Sequence, residues 1–163
     1  MWRGTLLMAV CLMLAGCQAP SYTRVTAPFH DADYQPFIPA GHTTLTGSAI
    51  RAKPGAPAAL CKDVMLMPKT AFTTEVMAAR RRGPGIQLMS PPNAKPYYMP
   101  KSVREVDCDK AGGFVIKDLP AGTWFVLPGM PEDDDELASE VTTDGVNPAT
   151  ANLTDHDLLR TAW

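Results

Sequence analysis

The sequence predicts a mainly β domain with one short helix. Two observations lead there. Sixteen prolines and twelve glycines fall between short apolar runs, a rhythm of strands and turns rather than of a helical bundle. Residues 113–126 then set two β-rich runs on either side of a turn containing Pro120 and Gly122. The chain has 163 residues, about one domain, with 45% hydrophobic and 20% charged residues. Its net charge of −2 lacks the basic excess of a nucleic-acid binder, so no nucleic-acid partner is expected. Aromatics make up only 7%, which leaves the core to aliphatic side chains and methionine.

The first sixteen residues read as a signal peptide. Arg3 precedes an apolar stretch from Leu6 to Leu14, which is shorter than the roughly twenty residues that span a bilayer as a helix. The segment ends in Leu14-Ala15-Gly16-Cys17, which resembles the lipobox of bacterial lipoproteins. That resemblance implies cleavage before Cys17, diacylation of its sulfur and acylation of its new amine. Two or more acyl chains make a stable anchor. The lipid bilayer is therefore the first expected partner, and the cell envelope the expected location. Gln18 follows the cysteine where aspartate would retain a Gram-negative lipoprotein at the inner membrane, so the resemblance implies the outer membrane in such a host.

Four cysteines divide by position. Cys11 leaves with the signal and Cys17 is the proposed lipid site. Cys61 and Cys108 remain, in a compartment that permits disulfides. A bridge between them is expected, with free thiols or a metal pair as alternatives. No CxxC spacing and no neighbouring histidine favours metal.

Residues 17–42 read as the lipidated cysteine and a Pro-rich tether, broken by Pro20, Pro28, Pro36 and Pro39. It is expected to be flexible to about residue 30 and docked beyond, through Tyr34, Phe37 and Ile38. Residues 43–163 form a single domain. Leu45–Ile50 alternates at period two and predicts a strand. Val64-Met65-Leu66-Met67, stopped by Pro68, predicts a strand covered on both faces. Thr73–Arg82 predicts a short helix, with Glu75 in its first turn and Arg80-Arg81-Arg82 in its last, and Gly83-Pro84 just beyond. It has no capping box. Residues 83–102 are Pro-rich, with Ile86, Leu88, Tyr97 and Tyr98 as packing points. Val103–Cys108 predicts another strand, which would bring Cys108 towards Cys61. The Gly113–Val126 segment predicts a hairpin with Phe114 and Ile116 on one face, Trp124 and Val126 on another. After the acidic run Glu132–Glu136, Glu140–Thr143 and Thr150–Leu153 predict two final strands, and Asp155–Arg160 a helical turn.

Three of these pieces resemble the transthyretin-like (prealbumin-like) antiparallel β-sandwich, in its carboxypeptidase regulatory-like form. They are Leu45-Thr46-Gly47-Ser48-Ala49, Val64-Met65-Leu66-Met67-Pro68, and the run from Gly113 through Leu119-Pro120-Ala121-Gly122 to Trp124. The last is similar to the family's G-x-F-x-F-x-x-L-P-x-G-x-Y pattern. The resemblance covers roughly residues 43–154, with a long insert over residues 69–102 as its departure. It implies a sandwich with a short helix in the insert, and a non-enzymatic accessory or adhesive module.

Candidate chemistry is sparse. His30, His42 and His156 sit beside no nucleophile motif, and there is no P-loop, GxGxxG, HExxH or GxSxG. The chain also lacks the Tyr-Arg-Gly-Ser end of the hydroxyisourate hydrolases, the catalytic transthyretin relatives. The acidic run offers oxygen ligands for Ca²⁺ but not at EF-hand spacing, so a solvated loop is expected and no metal or cofactor. Arg80, Arg81 and Arg82 are the candidate interaction residues, towards lipid phosphate or polysaccharide. Tyr97-Tyr98 could stack on sugars. The expected function is a non-enzymatic envelope lipoprotein acting as a binding or assembly module, with an envelope protein or polysaccharide as partner. The alternatives are a periplasmic carrier of a small ligand and a hydrolase on the same fold.

Overall fold

The computed structural model describes residues 25–52, 55, 57–82, 101–131 and 136–160. Two sheets face each other across one core. The first is built on β1 (Thr43–Arg51), the longest strand of that sheet. Along one edge β1 pairs antiparallel with β5 (Gly113–Leu119) and, at its end, with the two-residue β2 (Ala59–Leu60). Along the other it pairs with β9 (Ala149–Leu153). The second sheet has the order β4-β3-β6-β8, from Arg104–Asp107, Asp63–Pro68, Ala121–Gly129 and Ser139–Asp144. A small ribbon pairs β7 (Glu136–Leu137) with β10 (Leu158–Arg160).

Period-two patterning supplies the core. Leu45 and Ala49 point inward from β1, Phe114 and Ile116 from β5, and Ala151 and Leu153 from β9. They meet Val64 and Leu66 of β3 and Trp124 and Val126 of β6. Trp124 is fully buried and donates its indole N–H to the Thr143 hydroxyl over 3.0 Å. That hydroxyl donates in turn to the Pro120 carbonyl over 2.6 Å, so the only polar atom of the indole is satisfied. The Phe37 ring meets Trp124 edge-on at 4.9 Å. A β-sandwich is thus present, as expected.

Two expectations about pairing are overturned. The runs flanking Pro120 do not pair with each other as a hairpin: β5 lies in the first sheet and β6 in the second. The turn is a corner between sheets, with Asp118 in the left-handed region at φ 59°. At Gly122 a side chain would meet the Phe37 ring at 2.4 Å. The aromatic faces therefore oppose one another across the core instead of lying side by side. The sandwich is also not wholly antiparallel, because β9 runs parallel to β1, Leu45 opposite Ala149 and Ala49 opposite Leu153. Parallel neighbours need a long crossover, and the chain between β1 and β9 builds the entire opposite sheet. Of residues 69–108, those described place β4 antiparallel beside β3, Val64 opposite Val106.

The second sheet is covered on its outer face too. Met65, Met67, Phe125 and Leu127 point away from the core towards Met77 of α1 (Ala71–Arg80) and Leu159 of β10. Burial on two faces explains the unbroken apolar runs of β3 and β6. The helix starts two residues earlier than expected, and it does have a capping box. Thr70 accepts from the Thr73 N–H at 3.2 Å while the Thr73 hydroxyl accepts from the Thr70 N–H at 2.8 Å. The box is Thr-x-x-Thr, outside the Ser/Thr-x-x-Glu/Gln signature that a sequence scan seeks. With this start Glu75 lies beyond the first turn. The expected helical turn at the end is a 3-10 turn over Asp155–Asp157 followed by β10. No helix among the described residues is long and apolar enough to cross a membrane.

Docking begins earlier than the expected boundary near residue 30. Val25 is buried against Val76 and Ala79 of α1. The Glu75 carboxylate accepts from the Thr26 N–H and hydroxyl, each at 2.8 Å, and from the Ala27 N–H. Phe29 packs on Phe72 and Tyr34, and the Tyr34 hydroxyl accepts from the Thr70 hydroxyl at 3.2 Å. Residues 25–37 thus form a strap along the helix. The amides of Ala27 and Thr26 hold the Glu75 carboxyl below its ordinary range. In E75A no side-chain acceptor remains for either, so hydrogen exchange at Thr26 and Ala27 is expected to rise at least about tenfold while the thermal midpoint of the sandwich holds. Unchanged exchange would show that Glu75 is not the clamp.

The turn after β8 makes a pH prediction. Asp144 accepts from the Asn147 side chain at 2.6 Å and from the Val146 and Asn147 N–H groups at 2.9 and 2.8 Å. Led by Asn147, these bonds lower its carboxyl to about 2. An unfolded aspartate titrates near 3.9, so the turn contributes stability that is complete above about pH 4 and lost as pH falls towards 2. Between pH 5 and pH 2 the thermal midpoint of D144N is expected to fall less than that of the native chain. Parallel curves would refute the assignment.

Candidate functional site

Among the described residues, an open cleft of about 290 Å³ lies on the outer face of the second sheet. Its position follows from the helix length. α1 ends at Arg80 and covers the Met67–Phe125 end of the sheet, leaving the Asp63–Glu105 end open. Pairing sets the floor: Met65 stands opposite Leu127 on one side and Glu105 on the other, all on one face. Asp63 stands opposite Gly129, and a side chain at 129 would meet the Asp63 carboxylate at 2.4 Å. The glycine is what leaves room for that carboxylate. Met130 and Leu137 close one wall, and Arg80 reaches in from the helix to Glu136 at 3.7 Å.

The cleft is amphipathic. Met65, Leu127 and Pro128 give apolar surface, while Asp63, Glu105 and Glu136 bring three carboxylates against the single guanidinium of Arg80. Such a site accepts hydrogen bonds from hydroxyl or amine donors and repels anions.

The expected site residues fall in several places. Cys61 and Cys108 are bonded, with Cα atoms 5.9 Å apart, which joins the start of β3 to the end of β4. Of the arginine trio only Arg80 enters the cleft, while Arg81 and Arg82 are exposed past the helix end. His30, His42 and His156 are exposed at three separate places: before the strap's 3-10 turn, before β1 and in the final 3-10 turn. Cys17, Ile86, Leu88, Tyr97, Tyr98 and residues 132–135 of the acidic run lie outside the described residues. Glu136, the run's last member, lines the cleft. Among the described residues no three His, Cys, Asp or Glu side chains are arranged to hold a metal ion. Sequence reasoning missed Asp63, Glu105 and Gly129. Their signal was a carboxylate at each end of an otherwise apolar outer face, visible only once the register of β3, β4 and β6 is known.

The sandwich has a counterpart of known structure. A Pseudomonas aeruginosa protein, described provisionally as carbohydrate binding, superposes with a TM-score of 0.60 over 78% of this chain and 98% of its own, at 21% identity. At that identity the likeness is one of fold. A minor pilin of Streptococcus agalactiae has a TM-score of 0.41 at 11% identity, over 76% of this chain and 46% of its own. The major pilin SpaD of Corynebacterium diphtheriae has a TM-score of 0.37 at 15% identity, over 72% and 30%. The sequence matches no protein-family model and no curated protein.

Proposed function

We propose that this chain is a non-enzymatic, lipid-anchored envelope protein whose transthyretin-like sandwich binds an uncharged sugar of an envelope or surface polysaccharide. The cleft carries the reading. Carboxylates accept paired hydrogen bonds from vicinal hydroxyls, and the Met65–Leu127 floor suits the C–H face of a sugar ring. The excess of carboxylate over guanidinium selects against acidic sugars. The anchor rests on Leu14-Ala15-Gly16-Cys17, and Gln18 places it in the outer membrane of a Gram-negative host. The description of the Pseudomonas aeruginosa protein is in keeping with this ligand class.

Two measurements test the two halves. Intact mass of membrane-extracted protein is expected to show a chain starting at Cys17 with acyl additions, and an unacylated mass refutes the anchor. On an array of neutral and acidic glycans the full-length protein is expected to retain neutral ones. The D63N/E105Q variant should then bind at least about tenfold more weakly, the worth of one hydrogen bond to a charged group. Retention of no neutral glycan, or equal binding by the variant, overturns the sugar site.

A further inference from the structure

We infer that the C-terminal end of α1 is a membrane-facing surface, on which Arg81 and Arg82 meet anionic phospholipid headgroups of the leaflet that holds the anchor. The inference rests on the Cys17 anchor proposed above.

The strap supplies the direction. It runs antiparallel to α1: Tyr34 at Thr70, Phe29 at Phe72, Thr26 and Ala27 at Glu75, and Val25 at Val76 and Ala79. The described chain therefore begins, at Val25, by the helix's C-terminal end. Eight residue steps separate Cys17 from Val25, so the anchor lies within about 28 Å of Val25 even at full extension. Arg82 is three residues beyond Ala79, or about 5 Å further along the axis. The anchoring segment thus joins the described domain at this end of the helix, within reach of the lipid.

Charge makes that proximity an interaction. Arg81 and Arg82 are both exposed, whereas Arg80 is turned into the cleft and paired with Glu136. Among the described residues two carboxylates share this end. Glu136 is engaged by Arg80, and Glu75 faces Arg82 while holding the Thr26 and Ala27 amides. An exposed cation is felt by an anionic surface only within a Debye length, about 8 Å in physiological salt, a separation that lies inside the reach of the anchoring segment. Each such side chain is worth about fivefold in partition to an anionic surface.

The experiment uses the full-length acylated protein, its mass at Cys17 verified first, reconstituted into vesicles of phosphatidylcholine alone or with phosphatidylglycerol. Phenylglyoxal modification of each arginine is followed by mass spectrometry. Arg81 and Arg82 are expected to react at least fivefold more slowly in the anionic vesicles than in the neutral ones, and about 1 M salt, where the Debye length is about 3 Å, should restore the rate. Arg104, held by the Lys101 carbonyl at 2.7 Å, is expected to keep one rate throughout. Equal rates in the two vesicles, or slowing that persists in phosphatidylcholine alone, overturn the inference. An unacylated mass instead overturns the anchor, before any vesicle is made.

Discussion

Alanine at position 47 is expected to cost about 3 kcal/mol or more, enough to leave a marginal domain largely unfolded at physiological temperature. Gly47 is inward-facing at the middle of β1, opposite Phe114 on one side and Ala151 on the other. A methyl group there would stand 1.9 Å from the Ala151 carbonyl oxygen and 2.5 Å from the tip of the Phe114 ring. Neither neighbour can retreat easily. The carbonyl belongs to a paired strand, and the ring fills the space that the glycine leaves in the core. Urea unfolding followed by tryptophan fluorescence measures the loss, with exposed Thr46→Ala next door expected to change stability by less than about 0.5 kcal/mol. A G47A midpoint equal to the native one would mean that β1 can shift within its sheet.

The disulfide is expected to contribute about 4 kcal/mol, the chain-entropy value for closing a loop of 47 residues. Alanine at both Cys61 and Cys108 should lower the unfolding free energy by that order, and reductant should lower the native protein to the variant's level while leaving the variant unchanged. Stability that is indifferent to both would mean that pairing of β3 with β4 alone holds this edge. The variant should still form the two sheets, because Val64, Leu66 and Trp124 are buried independently of the sulfurs.

Most strands were legible because their residues alternate or run apolar without break, and the cysteine count left one pair to bond. Pairing partners were not legible. The Pro120–Gly122 turn has the composition of a hairpin, and what separates a hairpin from a corner is where Phe114 and Trp124 find their apolar partners, which lies far away in sequence. The parallel β1–β9 pair was hidden for the same reason, since no local signal records a crossover through the opposite sheet. Docking beyond residue 30, through Tyr34 and Phe37, was legible, but the first part of the strap was missed because its anchor is a single carboxylate: Glu75 read as a helix-start acid and serves instead as the acceptor for Thr26 and Ala27. The cleft was missed because cross-strand neighbours at Asp63, Met65 and Glu105 make it, and register assembles them.

The covalent bond between Cys61 and Cys108 also spans residues 83–100. A protease that cut anywhere in that stretch would sever the backbone without parting the molecule. The fragment bearing β1, β3 and α1 would stay joined to the fragment bearing β4 to β10, and the two would still share every strand pairing. Nicked protein would run as one species until reduced, then as two.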